Sequence, residues 1–108
     1  MQTEILVLDY QTANGHFPFR EWAASLDKVA RSAVAARINR LRLGNFGDWK
    51  PVGDGVFELR VDFGPGYRVY FGRDGMTVVV LLCGGSKRHQ TADIKQAIRN
   101  WNDYVTRK

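Results

Sequence analysis

Residues 56–86 read VFELRVDFGPGYRVYFGRDGMTVVVLLCGGS, and their pattern determines the architecture that we expect. Apolar and polar residues alternate from Val56 to Phe63, which is typical of a strand with one face in a core. Gly64-Pro65-Gly66 predicts a hairpin turn. The alternation then resumes from Tyr67 to Phe71. Two neighbouring antiparallel strands are therefore expected here.

A third strand follows the second one closely. Asp74-Gly75 predicts another hairpin turn. Met76 to Cys83 is apolar on both faces, as a central strand is, and Gly84-Gly85-Ser86 is expected to end it. The three strands together predict an antiparallel meander.

Helices are expected on both sides of the meander. Pro18 is favoured at the first helical position, and Asp27 is a plausible N-cap. The glycines and prolines from Phe46 to Gly55 predict a loop. Apolar spacing and these signals together predict a strand Thr3–Leu8, a helical hairpin of Pro18–Leu26 and Lys28–Leu43, and a last helix Ala92–Val105 that Thr91 caps.

The last helix has a predicted buried stripe at helical spacing, formed by Ile94, Ala97, Ile98, Trp101 and Val105. In the longer helix of the hairpin the corresponding stripe consists of Ala30, Val34, Ile38 and Leu41, and its arginines, Arg37 among them, are expected outside it. The prediction is a single α+β domain over residues 1–108. Its antiparallel sheet combines the N-terminal strand with the meander, and that strand joins the sheet edge or lies on it.

Composition excludes several classes of protein. The chain has 108 residues, of which 44% are hydrophobic, too many for a disordered chain. No apolar run reaches the ~20 residues of a membrane span, and no signal peptide is recognised at the N-terminus. A single cysteine in the most apolar stretch predicts a buried thiol in a reducing compartment. We therefore expect a cytoplasmic protein.

Charge gives a first functional hint. Lys and Arg number 16 against 11 Asp and Glu, a net charge of +5, and most of the basic residues are Arg. Arginine binds phosphate through a planar fork and stacks on bases. A nucleic acid or an acidic protein partner is therefore a candidate, and the alternative is that the charge only keeps the protein soluble.

The first hairpin carries one candidate site. With Phe63 opposite Tyr67, the expected pairs are Asp62 with Arg68 and Arg60 with Tyr70. Glu58 lies on the same face, which an antiparallel sheet can leave open to solvent. The alternative is a solvated face of Arg–Asp pairs that contribute little.

A second candidate lies between the meander and the last helix. Glycines and a helix N-terminus attract anions, so Lys87 and Arg88 are candidate phosphate ligands. Histidine is a residue type commonly used for proton transfer, so His89 beside them is a candidate acid or base. The segment lacks the spacing of a nucleoside-triphosphate loop, and no Cys/His cluster has metal-ligand spacing, so neither a metal nor a cofactor is expected.

The order of ELRV (58–61), GYRVYF (66–71) and GGSKRH (84–89) resembles the RelE/ParE superfamily of toxins, and within it the HigB-like addiction module killer toxins. This resemblance implies a RelE-like fold and a toxin of a type II toxin–antitoxin system. Such a toxin cleaves mRNA on the ribosome without a metal ion, and a cognate helix-turn-helix, HigA-like antitoxin neutralises it.

The resemblance also implies roles for individual residues. Arg68 matches the family's phosphate-binding arginine, Arg60 a basic position on the preceding strand, and Lys87 with Arg88 its later basic pair. Glu58 stands where the RelE pattern has another basic residue, and the tyrosine after the basic pair has no counterpart. The chemistry of strand cleavage adds further candidates: the base is Glu58 or His89, and the acid is Lys87, Arg88 or His89. Tyr70 is a candidate for stacking on a base. The candidates for contacts with ribosomal RNA or an acidic antitoxin are Lys50, Arg40 and Arg42.

Two alternatives stay open from the sequence. A ParE-like inhibitor of DNA gyrase has the same fold but is not a nuclease. A toxin that has lost activity, or acts only within a complex, is the other. Because the combination of Glu58, Arg60, Arg68 and Tyr70 suits phosphate chemistry, the nuclease is favoured.

Overall fold

The computed structural model describes residues 4–108, so Thr3, expected in the first strand, lies outside the described residues. A short 3-10 turn at Lys87–His89 leads into the last helix. The elements in chain order are β1 (Leu6–Asp9), α1 (Pro18–Ser25), α2 (Lys28–Arg42), β2 (Trp49–Gly53), β3 (Val56–Val61), β4 (Tyr67–Arg73), β5 (Val78–Ser86) and α3 (Gln90–Arg107).

The strands form one mixed sheet in the order β1-β5-β4-β3-β2. The predicted meander of β3, β4 and β5 is antiparallel, which confirms the α+β prediction. The N-terminal strand does join the sheet edge, where β1 runs parallel to β5 and pairs Leu6 with Val78, so the sheet is mixed rather than antiparallel throughout as expected. β5 continues to Ser86, so the expectation that Gly84 would end it was wrong.

The predicted loop at 46–55 is also wrong in part, because Trp49–Gly53 forms the edge strand β2. Trp49 pairs with Leu59 and Lys50 with Glu58. Pro51 fits there because an edge strand has one side on which no backbone donor is needed.

Helices cover both faces of the sheet. On one face Val34, Ile38 and Leu41 of α2 pack in a core with Leu59 and Phe71. This confirms the apolar stripe of α2, and the predicted N-cap is also confirmed, since Asp27 accepts a hydrogen bond from the Ala30 N–H at 2.9 Å. α3 covers the other face with Ala97 in a second core.

The details of α3 differ from the expectation. The helix begins at Gln90, so Thr91 is not its cap. Val105 is 44% exposed, whereas Asn100 is buried and donates a hydrogen bond to the Leu82 carbonyl at 2.9 Å. A polar residue thus occupies the helix–sheet interface. Within residues 4–108, no helix has the length and hydropathy needed to cross a membrane.

Two consecutive glycines of β5 allow both helical layers to approach the sheet closely. A Cβ atom on Gly84 would overlap the Trp22 ring of α1, and one on Gly85 would overlap the Asp93 carboxylate of α3. The Gly-Gly pair therefore serves packing, and it brings the start of α3 against the sheet.

Candidate functional site: a basic cleft at the end of the meander

The register between β3 and β4 differs from the sequence prediction by two residues. Arg60 pairs with Arg68, and Glu58 pairs with Tyr70. The turn is longer than Gly64-Pro65-Gly66 suggested, because Phe63 lies within it and donates its N–H to the Val61 carbonyl at 3.0 Å. The predicted pairing of Phe63 with Tyr67 was therefore wrong. Glu58, Arg60, Arg68 and Tyr70 still share one face, whereas Asp62 lies beyond the end of β3 and has no partner among the strands of residues 4–108.

That face is covered rather than open. Glu58 and Tyr70 have no exposed surface, and Arg68 is 8% exposed. The cause is α3, which packs its own buried stripe over the middle of the meander. The expectation of a solvent-exposed face was wrong for these three residues, whereas Arg60 keeps 41% of its side chain exposed and Asp62, beyond β3, is also exposed.

A buried carboxylate organises the covered region. The Arg68 Nε lies 2.6 Å from the Glu58 Oε1, and the Gln90 Nε2 donates to the same oxygen at 2.8 Å. The Lys50 Nζ lies 3.7 Å from the Glu58 Oε2. Through two ion pairs and the Gln90 hydrogen bond, Glu58 connects β2, β4 and the first residue of α3 to β3.

Tyr70 lies beside this carboxylate and has a buried hydroxyl group. Burial, and then the charges of Glu58 and Asp93, raise the pKa of Tyr70. Burial likewise raises the pKa of Asp93, which the charge of His89 opposes. Neither Tyr70 nor Glu58 reaches solvent, so base stacking and proton abstraction, the roles expected for them, do not fit their burial.

An open cleft of about 260 Å³ lies at the end of the meander and is lined by three basic side chains, one of which is the largely buried Arg68. A Cβ on Gly66 would lie 3.7 Å from the Arg68 Nη1 and 3.9 Å from the Lys87 Cβ, so these two side chains flank the same glycine. Arg60 completes the group from the neighbouring strand. The cleft lining is Asp48, Arg60, Val61, Asp62, Gly66, Arg68 and Lys87.

The other predicted site residues differ in how near they lie to this cleft. Lys87, Arg88 and His89 form the exposed turn that precedes α3. Arg40 lines a second cavity that shares Arg60 with the first. Arg42 is not brought to the site; it lines separate clefts near the start of the chain.

Arg37 is the residue that sequence reasoning misplaced, because it is buried rather than on the surface. Its Nε donates to the Arg60 carbonyl at 3.0 Å, and its Nη2 to the carbonyls of Phe46 and Asp48. Burial lowers the pKa of Arg37. Its position three residues after Val34, on the apolar stripe of α2, is a signal that could have identified it.

The mixed sheet between a helical hairpin and a C-terminal helix defines a RelE-like class of fold, and a basic cleft lies at the end of its meander. Residues 21–101 match the family described as "Phage derived protein Gp49-like (DUF891)", and the chain belongs to this RelE/toxin-like family. A Haemophilus influenzae protein described as an "Uncharacterized protein" is 52% identical over 80 residues, which are 73% of this chain and 81% of that protein.

Proposed function

We propose that this protein is the toxin of a type II toxin–antitoxin system, similar to the HigB-like branch of the RelE/ParE superfamily, and that it cleaves mRNA on the ribosome. Its membership of a RelE/toxin-like family supports the class. The observation that carries the proposal is the grouping of Arg60, Arg68 and Lys87 in one open cleft. Such a group suits a phosphodiester that gains charge as it reacts.

The proposed reaction needs no cofactor. The 2′-oxygen of a ribose attacks the adjacent phosphorus, so that the O2′–P bond forms while the P–O5′ bond breaks. The products are a 2′,3′-cyclic phosphate and a 5′-hydroxyl end. Arg68 and Arg60 stabilise the charge on the pentavalent phosphorus, with Lys87 as a third cation.

Proton transfer is assigned to the exposed turn. One group must take the proton of the 2′-hydroxyl and another must protonate the leaving 5′-oxygen. His89 is exposed in the same turn as Lys87 and is the remaining candidate for the base, with Lys87 or Arg88 as the acid. Glu58 positions Arg68 and does not itself meet the RNA.

Partners follow from the same proposal. A ribosome-dependent nuclease acts in the cytoplasm, and Arg40, which lines a cavity together with Arg60, and the half-exposed Lys50 are the proposed contacts with RNA. A helix-turn-helix antitoxin, HigA-like, is the proposed neutralising partner. The neighbouring open reading frame of the source genome tests it, because it must then encode such a protein.

The decisive experiment incubates purified protein with ribosomes programmed by a defined mRNA and maps cut sites by primer extension. We expect cleavage within codons by the wild type and at least about a hundredfold loss in Lys87→Ala, which is exposed and should fold, and in Arg68→Ala. Arg99→Ala is the matched control, an exposed arginine on α3 outside the cleft.

Uncut mRNA with the wild-type protein would contradict the nuclease proposal. Inhibition of supercoiling by purified DNA gyrase would then support the ParE-like alternative. If the protein neither cleaves mRNA nor inhibits gyrase, and its expression is not toxic, the alternative of a toxin that has lost its activity is supported.

A further inference from the structure

The cleft continues beyond Arg60 into a larger compartment beside α2. This α2 compartment has a volume of about 450 Å³. It shares Asp48, Arg60 and Asp62 with the cleft of Arg60, Arg68 and Lys87, which is called the phosphate end because the proposed reaction places the phosphate there. Its other walls come from α2 and from the β3–β4 turn, and include Ala33, Ala36, Arg37, Arg40 and Phe63. A ligand whose phosphate lies at Arg60 can therefore extend into it.

Arg37 makes the α2 compartment rigid and positive. The side chain is 4% exposed, and it forms no ion pair with a carboxylate among residues 4–108. It donates hydrogen bonds to the backbone carbonyls of Asp48 and Arg60, which fixes the two segments that join the compartment to the phosphate end. Polar groups that are already fixed in place favour binding, because little conformational entropy of the protein is lost when the ligand binds.

Two carboxylates on the rim have no evident structural task. The Asp48 side chain is 68% exposed and lies 3.8 Å from Arg60, a separation at which an exposed pair contributes little. Asp62 is exposed, and its side chain forms no ion pair or hydrogen bond within the described part of the chain. Beside phosphate-binding cations, these two negative charges would weaken RNA binding unless the carboxylates also contact a group of the RNA.

A carboxylate only accepts hydrogen bonds, so its partner must donate. Guanine presents its N1–H and its N2 amino group side by side, which matches the two oxygens of one carboxylate. Uracil presents a single N–H between two carbonyls and does not match. The small side chains of Ala33 and Ala36 leave room for a flat ring, and Phe63 and Arg40 are residue types on which bases stack.

We infer that the α2 compartment is a nucleobase subsite in which Asp62, with Asp48 beside it, selects guanine, while the phosphate of the same nucleotide lies at Arg60. This rests on the proposed function, because it requires that the cleft binds RNA. The two carboxylates are then the specificity determinants of the cleft.

The test titrates isotope-labelled protein with GMP, AMP, CMP and UMP and follows the backbone resonances by NMR. We expect GMP to bind at least about fivefold more tightly than UMP, the lower end of what a bidentate base contact contributes. Asp62→Asn should abolish that preference. Asp54→Asn is the control: it removes the same charge at an exposed position outside the cleft, where Asp54 has a positive φ of 52° that asparagine tolerates.

The sign of the effect separates the explanations. A carboxylate that only repels phosphate predicts that Asp62→Asn tightens binding of all four nucleotides equally, and this result would overturn the subsite. Binding that shifts Lys87 without any base preference would overturn the subsite but leave the proposed function. No binding of any nucleotide would count against both.

Discussion

Removing the charge of Glu58 disturbs the contact that joins Arg68 to the rest of the site. Glu58 has no exposed surface, and its Oε1 lies 2.6 Å from the Arg68 Nε. In Glu58→Gln the amide oxygen can still accept a hydrogen bond from Gln90, but Arg68 keeps its charge with no carboxylate beside it. Breaking a buried ion pair from one side costs about 3–5 kcal/mol. We expect the lower end, because the Arg68 side chain retains 10% exposure.

A double-mutant cycle isolates this pair. Urea denaturation of the wild type, Glu58→Gln, Arg68→Met and the double variant gives four free energies of unfolding. Each single variant leaves one buried partner without the other, so the double variant should lose about 1–3 kcal/mol less than the sum of the two. Lys50→Met is the control and should cost under about 1 kcal/mol, since Lys50 is half exposed and 3.7 Å away. Additivity within about 0.5 kcal/mol would refute the reasoning.

Three further predictions concern other buried groups. Arg37→Met removes the side-chain donor from three backbone carbonyls, of which, within residues 4–108, only that of Asp48 keeps another donor, the Arg60 N–H. It should lower the free energy of unfolding by about 3 kcal/mol in urea, whereas exposed Arg40→Met should stay within about 0.5 kcal/mol. Because burial raises the pKa of Asp93, its ionised form destabilises the fold at neutral pH. Asp93→Asn should therefore raise the urea midpoint at about pH 7, and this gain should shrink as the pH falls through the folded-state pKa of Asp93; a gain independent of pH would contradict it. Burial raises the pKa of the Cys83 thiol to about 12, so iodoacetamide should modify it only after unfolding, and rapid labelling of native protein would disagree.

The parts of the fold that the sequence predicts well are those with local causes. The meander and the cap of α2 depend on residues a few positions apart, as in the alternation of Val56–Val61 and the contact of Asp27 with Ala30. β2 was missed because its glycine and proline are tolerated only at a sheet edge, which is a property of the assembled sheet.

For the candidate site, too, the sequence predicts which residues share a face but not whether they are buried. Alternation placed Glu58, Arg60, Arg68 and Tyr70 on one face, and the structure has them there. The pattern looks the same whether water or a helix covers that face, so the burial of Glu58 and Tyr70 was not predictable from it. Arg37 differs in the same way: the sequence predicts a charged residue at the surface, but the side chain is buried on the apolar stripe of α2.

The parallel pairing of β1 with β5 has a consequence for the order of folding. Leu6 is made early in synthesis, yet its partner Val78 lies far along the chain. Closing such a long loop costs conformational entropy before the contacts between the two strands can stabilise it. The short turns of the meander allow β3, β4 and β5 to associate first, and β1 can dock only afterwards. The cleft likewise needs Lys87 and Gln90, so a nascent chain cannot assemble the three cations of the cleft until most of the domain has been translated.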